Sequence, residues 1–304
     1  MLRARNGPAP SIVPPLDASR ALRDASAMAK SKAAPKSEPR DTLTFLVKLA
    51  LIVFVFRSFV LAPFSIPSES MLPRLLIGDY LFVSKWNYGY SRWSLPFGFP
   101  PVDWHVGWGT PARGDTVVFR GPAGEDHDVI KRVIGLPGDT IQMRRGQVIL
   151  NGKPIPKQRI ADFVVPLTPN FNARKCDAPF QATDERGAAI CRYPRFRETL
   201  PGGRSYEVLD QRMIPGTDDT GVYQVPAGRV FLMGDNRDDS ADSRFPAPAD
   251  ALPGEATGMG FIPVDHIEGR ALVTFWSTDG SANYVLPWTW LTAARWGRIG
   301  HGFD

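Results

Sequence analysis

Two side chains far apart in the chain could between them attack a carbonyl. One is Ser70, in the run Ser68-Glu69-Ser70-Met71-Leu72-Pro73; the other is Lys131, in Asp128-Val129-Ile130-Lys131-Arg132-Val133-Ile134. A serine hydroxyl is a poor nucleophile until a base takes its proton. The histidines, at 105, 127, 266 and 301, stand far apart, and no His–Asp pairing is visible. The neutral amine of a lysine remains as the candidate base. Strand side chains alternate, so Val129, Lys131 and Val133 share one face while Asp128, Ile130, Arg132 and Ile134 share the other. If the valine face is core, the ammonium is desolvated and its pKa must fall. Lowering it from about 10.4 towards neutrality costs on the order of 4 kcal/mol, which a fold accepts more readily where a neutral amine is useful. The competing reading is a lysine that snorkels to solvent from an edge strand. Read alone, the serine run is equally an ordinary turn.

The elements that must position these residues begin with an apolar stretch. Leu43 to Ala62 holds 16 apolar residues in 20, interrupted by Thr44, Lys48, Arg57 and Ser58. As a helix it spans about 30 Å, the thickness of a bilayer core. A buried core helix is the alternative, since Lys48 and Arg57 must snorkel or pair. Eight Lys/Arg against three acidic residues in the first 40 positions place the amino terminus on the cytoplasmic side and the rest of the chain outside. Cleavage after Ala62 would leave Pro63 beyond the cut, which suits a protease poorly and favours a retained anchor. Ser70 then lies within roughly 30 Å of chain from the membrane. Residues 1–41, rich in Ala, Pro, Ser and charge, read as a disordered cytoplasmic leader, with Met28 as a plausible true start.

The 29 prolines and 28 glycines, with few long 3.6-period patterns, favour a β-rich body. Strands are expected at Asp79–Ser84, Asp128–Ile134, Arg229–Met233 and Gly269–Trp276, with a turn and then a strand over Arg113–Arg120 and a hairpin over Ile141–Leu150. The catalytic β domain takes residues 63–150 and 227–283, and 151–226 reads as an inserted subdomain. The aromatic-rich loop Trp86–Trp108 rests in the lipid interface or packs in the core, and the tail 284–304, with Trp288, Trp290 and Trp296, is consistent with a short interfacial piece. The net charge of +5 comes without a nucleic-acid motif and suits anionic lipid as well, so no nucleic-acid partner is expected. No His or Cys stands at ligand spacing; neither a metal nor a cofactor is expected. Cys176 and Cys191, an even count outside the membrane, favour a disulfide worth roughly 3 kcal/mol, the alternative being two free thiols.

Four runs, in order, resemble the sequence boxes of bacterial type I signal peptidases: Ser68 to Pro73, Arg113 to Phe119, Asp128 to Asp139, and Gly234-Asp235-Asn236-Arg237-Asp238-Asp239-Ser240-Ala241-Asp242-Ser243-Arg244. With the strands between them they cover roughly residues 64–150 and 229–277. The resemblance implies a mainly β fold: a signal-peptidase-like antiparallel catalytic domain, similar to that of self-cleaving repressors, with an inserted β subdomain and one amino-terminal membrane helix. It also implies removal of signal peptides after Ala-x-Ala-like sites through an acyl-enzyme. Ser70 would be the nucleophile and Lys131 the general base. The Ser68 hydroxyl and the Ser70 backbone N–H would form the oxyanion hole, and Ser240 would hydrogen-bond the lysine. Phe64, Ile66, Pro67, Met71, Leu75, Val118, Val129 and Ile130 would line two small-residue pockets, and Arg132, Asp242 and Arg244 would brace the 234–244 loop.

The implied partners are signal-peptide-bearing precursors, the bilayer and a neighbouring secretion translocase; the implied location is a bacterial inner membrane, with the catalytic domain on its periplasmic or outer face. Arg74 and Asp239 depart from the many relatives that carry Thr and Asn there. Two other readings stand beside this one: a relative dedicated to one conjugation or pilus substrate, and a non-catalytic envelope scaffold.

Overall fold

The computed structural model describes residues 39–98, 101–102, 104–107, 109–122, 127–252, 255, 257–283 and 285–303. The leader expected over 1–41 therefore falls outside the described residues as far as residue 38. The chain divides into two units, 1–51 and 52–304. Of the first, the described part is helical. The helix Pro39–Phe59 has Pro at its start, Asp41 in its first turn and Arg57 in its last, each suited to the backbone dipole it faces. Its apolar side chains from Leu43 to Phe56 are exposed all round. By length and composition Arg40–Phe59 is sufficient to cross a membrane.

The expected span ran to Ala62, but the helix stops three residues earlier, at Phe59. Pro63 disfavours helical backbone at the residue before it. Leu61 and Ala62 instead enter a strand, Leu61–Ser65, paired antiparallel to Asp79–Ser84.

That strand forms one end of a seven-stranded sheet. Its order is Leu61–Ser65, Asp79–Ser84, Ile267–Ser277, Thr116–Arg120, Asp128–Gly135, Arg229–Met233 and Ile262–Pro263, every neighbouring pair antiparallel. The pleat sends alternate residues to two cores. Val118 and Ile130 join Ile66, Met71, Leu75, Leu81 and Val83 in one; Val117, Phe119 and Val133 join Tyr88, Leu232 and Ile267 in the other. The lysine strand Asp128–Gly135 lies between two partners, so Lys131 is not at an edge.

A hairpin, Thr140–Arg144 with Gln147–Leu150, continues into a second sheet with Lys153–Pro154 and Tyr223–Gln224. Arg145 (φ 47°) and Gly146 (φ 71°) form its turn in the left-handed region that two-residue hairpin turns require. A third sheet carries the long strands Lys157–Pro166 and Ala189–Thr199, with Gln181–Thr183 and Ser205–Leu209 pairing to the latter. The aromatic segment is divided. Tyr88 is buried and its hydroxyl donates to Asp115 at 2.8 Å, whereas Trp86 is exposed. The tail returns to the body: Arg298 donates to Asp79, and Phe303 packs with Ile66 and Met71. Trp288, Trp290 and Trp296 remain exposed.

Cys176 and Cys191 are joined in a disulfide with Cα atoms 6.0 Å apart, inside a core with Phe171, Tyr193 and Leu209. Replacing both by serine removes a short loop constraint from the unfolded chain. We expect a fall of about 3 kcal/mol in unfolding free energy, read from the urea midpoint.

Candidate active site

The serine run leaves the sheet after Ile66, whose N–H donates to Asp79 O at 2.9 Å. It then closes one helical turn, with Leu75 N–H donating to Met71 O at 2.9 Å. Met71, Leu72 and Leu75 are buried by that turn, and they hold Ser70 at the body's surface layer with 7% of its area exposed. Lys131 is 3% exposed. Its Nζ donates to Ser70 Oγ at 2.6 Å, so the sheet and the turn bring together two residues that the sequence separates widely. Lys131 does not snorkel. Ser68 is exposed, and its Oγ lies 3.4 Å from Ser70 Oγ.

The loop 234–244 is packed behind this pair. Asn236 N–H donates to Ser70 O at 3.0 Å, and its side chain donates to Glu69 O at 3.3 Å. At Gly234 any Cβ would come within 2.6 Å of Ser70 O and 2.3 Å of Ser240 Oγ, so only glycine fits there. Ser240 Oγ is buried and has no hydrogen-bond partner. The bond from Ser240 to Lys131 implied by the resemblance is therefore not made, and Lys131 Nζ is directed at Ser70 instead.

Burying so charged a loop requires partners, and three arginine–carboxylate pairs supply them. Arg132 grips Asp235 through two bonds of 2.7 and 2.6 Å and also donates to Gly114 O. Burial alone would lower the Arg132 pKa, but Asp235 outweighs it and the net shift is upward. Arg244 holds Asp242 through bonds of 2.9 and 3.0 Å, while Asp242 also accepts the Gly234 N–H. Arg237 holds Glu198, which comes from the long strand Ala189–Thr199 and also accepts the Tyr206 hydroxyl at 2.8 Å. Desolvation would raise Glu198 and Asp242, yet the guanidinium beside each holds it below its ordinary value. Arg132, Asp242 and Arg244 were expected to brace this loop; Asp235, Arg237, Glu198 and Tyr206 were missed. The cue for Asp235 and Arg237 was their place inside the fourth run. Glu198 had none.

Of the eight expected pocket residues, six gather in one cluster: Phe64, Ile66, Met71, Leu75, Val118 and Ile130. Two do not. Pro67 is exposed, and Val129, on the opposite face of the strand from Ile130, packs with the Tyr88 and Phe119 core.

With this geometry in hand, known proteins give a consistent answer. The family model for signal peptidase, peptidase S26, matches residues 40–276. Signal peptidase I of Rickettsia typhi is 33% identical over 275 residues, covering 85% of this chain and 90% of that protein. Signal peptidase I of Rickettsia massiliae is 32% identical with the same coverage of each chain. A crystal structure of a signal peptidase I from Enterococcus faecalis covers 53% of this chain and 95% of that one, at 23% identity and a TM-score of 0.26. The family and the relatives define the class, a serine protease. Within that class the chain belongs to the signal peptidase family, peptidase S26, whose reaction is the removal of signal peptides.

Glu198→Gln leaves Arg237 buried beside a neutral amide; we expect a loss of about 3–5 kcal/mol in urea unfolding at neutral pH. Because Glu198 and Asp242 have lowered folded pKa values, their contribution is present above the ordinary carboxylate range and is lost as pH falls through the folded values. The wild type should therefore lose stability progressively below about pH 4, and Glu198→Gln should show a shallower acid loss.

Proposed function

We propose that this protein is a membrane-anchored endopeptidase that trims secreted precursors after Ala-x-Ala-like sites, with Ser70 as nucleophile and Lys131 as general base. One observation carries the reading: two buried side chains, Nζ and Oγ, 2.6 Å apart. Burial disfavours the ammonium form, so the amine is suited to accept the hydroxyl proton. Ser70 Oγ then bonds to the scissile carbonyl carbon, and the negative charge develops on the carbonyl oxygen. The Ser68 hydroxyl and the Ser70 N–H stabilise that oxygen, a donor of this kind contributing about 3–4 kcal/mol to the transition state. Collapse of the tetrahedral species breaks the peptide bond, and the protonated lysine delivers its proton to the leaving amine. Water, deprotonated by the same lysine, hydrolyses the ester and regenerates Ser70.

Specificity follows from the apolar cluster beside the serine. Ile66, Met71, Leu75, Val118 and Ile130 form a buried apolar cluster beside the serine, and the two pockets read against it admit small side chains. The strand Leu61–Ser65 ends the order of the large sheet, and an extended peptide adds along its outer edge through backbone hydrogen bonds. The exposed helix Arg40–Phe59 tethers the enzyme where its membrane-borne substrates are, which raises their effective concentration without a new contact. Its amino terminus is cytoplasmic and the β body lies on the far side of the inner membrane, near the translocase that delivers precursors.

The test uses full-length protein in detergent with a precursor bearing Ala-x-Ala. Wild type should cut after the second Ala, while Ser70→Ala and Lys131→Ala should each lower kcat/KM by more than about 10³-fold. kcat/KM of the wild type should increase with pH through one ionisation well below 10, the sign expected for a base that acts when neutral. A flat profile, or undiminished cleavage by either variant, overturns the reading.

A further inference from the structure

Away from the Ser70 site, three carboxylates from three segments converge. Asp210 follows the strand Ser205–Leu209, Asp218 lies in the turn after Ile214, and Asp238 belongs to the 234–244 loop. One oxygen of each lies within 4.8 Å of the others. Acidic groups alone do not make a site, but two of these carboxylates are held in an unusual way. Asp218 is 1% exposed; its Oδ2 accepts the Ile214 N–H at 2.6 Å, while its Oδ1 is buried without a partner. Asp238 repeats the arrangement: Oδ2 accepts the N–H groups of Gln211 and Arg212 at 2.7 and 2.9 Å, and Oδ1 is buried without a partner. Backbone donors thus fix one oxygen of each group and leave the other dry and unsatisfied. A buried carboxylate oxygen in that condition is costly unless something positive meets it.

The charges state what is lacking. Three carboxylates carry about −3, and Lys157, paired with Asp210, returns one positive charge, leaving about −2. Arg244, the other cation acting on Asp218, pairs with Asp242 through its Nε and Nη2. Desolvation first, and then the neighbouring carboxylates, push both Asp218 and Asp238 above the usual range. All the donors are hard oxygens, which select Ca²⁺, Mg²⁺ or Mn²⁺ over softer metals. Calcium takes oxygens at about 2.3–2.6 Å in a flexible geometry, whereas magnesium demands about 2.0–2.1 Å and a regular octahedron, so three carboxylates gathered irregularly to within 4.8 Å suit calcium better.

We propose that Asp210, Asp218 and Asp238 bind one divalent cation, calcium in preference to magnesium, and so clamp the 234–244 loop to the strands and turns of the inserted region. Asp238 lies two residues from Asn236, which bonds Ser70 O, so the cation holds the far side of the loop that backs the serine. Calcium binding is read without substrate, so this proposal succeeds or fails independently of the proposed cleavage reaction.

Full-length protein in detergent is stripped with a chelator, returned to chelator-free buffer near neutral pH, and titrated with calcium chloride or magnesium chloride. Equilibrium dialysis should find one calcium per chain. The thermal midpoint should rise by about 5–10 °C at calcium one hundredfold above its Kd, and by less with magnesium. Asp218→Asn should lose the calcium response yet melt no lower than metal-free wild type, since its amide oxygen still accepts the Ile214 N–H and its NH₂ meets the facing carboxylate. Asp238→Asn is the second variant, should the first fail to fold. No bound calcium in the wild type, or unchanged binding in these variants, overturns the proposal. A midpoint that responds to pH but not to calcium also overturns it and assigns the cluster a shared proton.

Discussion

The contact between Lys131 Nζ and Ser70 Oγ constrains everything around it, because so buried a lysine nitrogen keeps its partner only if the lysine is held away from solvent and the serine is held in place. The sheet fulfils the first condition. Lys131 is on an interior strand whose same-face neighbours, Val129 and Val133, belong to a packed core. The second falls to the 234–244 loop, which bonds the Ser70 carbonyl and approaches so closely that glycine is required at 234. That loop is itself highly charged, and once buried it must neutralise its own residues. A single polar contact thereby propagates into a layer of paired charges.

Those pairs tie the separate parts of the chain to one another. Arg132 follows Lys131 in the same strand, so its grip on Asp235 fixes the loop relative to the amine. Arg237 reaches outside the seven-stranded sheet to Glu198 and, through it, to Tyr206. The third sheet therefore does more than decorate the surface. It supplies the counter-charge for a residue three positions from Ser240, and bidentate geometry makes that counter-charge hard to replace.

Much of this was legible in the sequence where the cause is local. The strands Asp79–Ser84 and Arg229–Met233 form at the expected residues, and Thr116–Arg120 falls within the turn and strand expected over Arg113–Arg120, because each is a short apolar run bounded by turn residues. Lys131 between two valines was legible for the same reason, and the edge-strand alternative fails because the strand has a neighbour on each side. The strands Lys157–Pro166 and Ala189–Thr199 were hidden. Lys157–Pro166 is mostly exposed or half-buried, and Ala189–Thr199 mixes Arg192, Arg195, Arg197 and Glu198 with its buried residues, so neither shows a clean hydrophobic alternation. Glu198 was hidden for a different reason: pairing across 39 residues leaves no mark in either local segment. The same holds for Asp210, Asp218 and Asp238, since a search for His and Cys at ligand spacing has no view of carboxylates gathered by folding. Pro67 and Val129 were assigned to pockets by likeness; Pro67 is exposed and Val129 packs with the Tyr88 and Phe119 core.

The packing of Phe303 against Ile66, Met71 and Leu75, with Arg298 on Asp79, also bears on how the protein is made. The wall beside Ser70 is built from residues near 70, 130, 235 and 300, so its contacts span nearly the whole described chain. As the polypeptide leaves the ribosome, the helix that starts at Pro39 emerges long before the residues that seal this wall. The serine thus acquires its finished surroundings only when translation has passed residue 303.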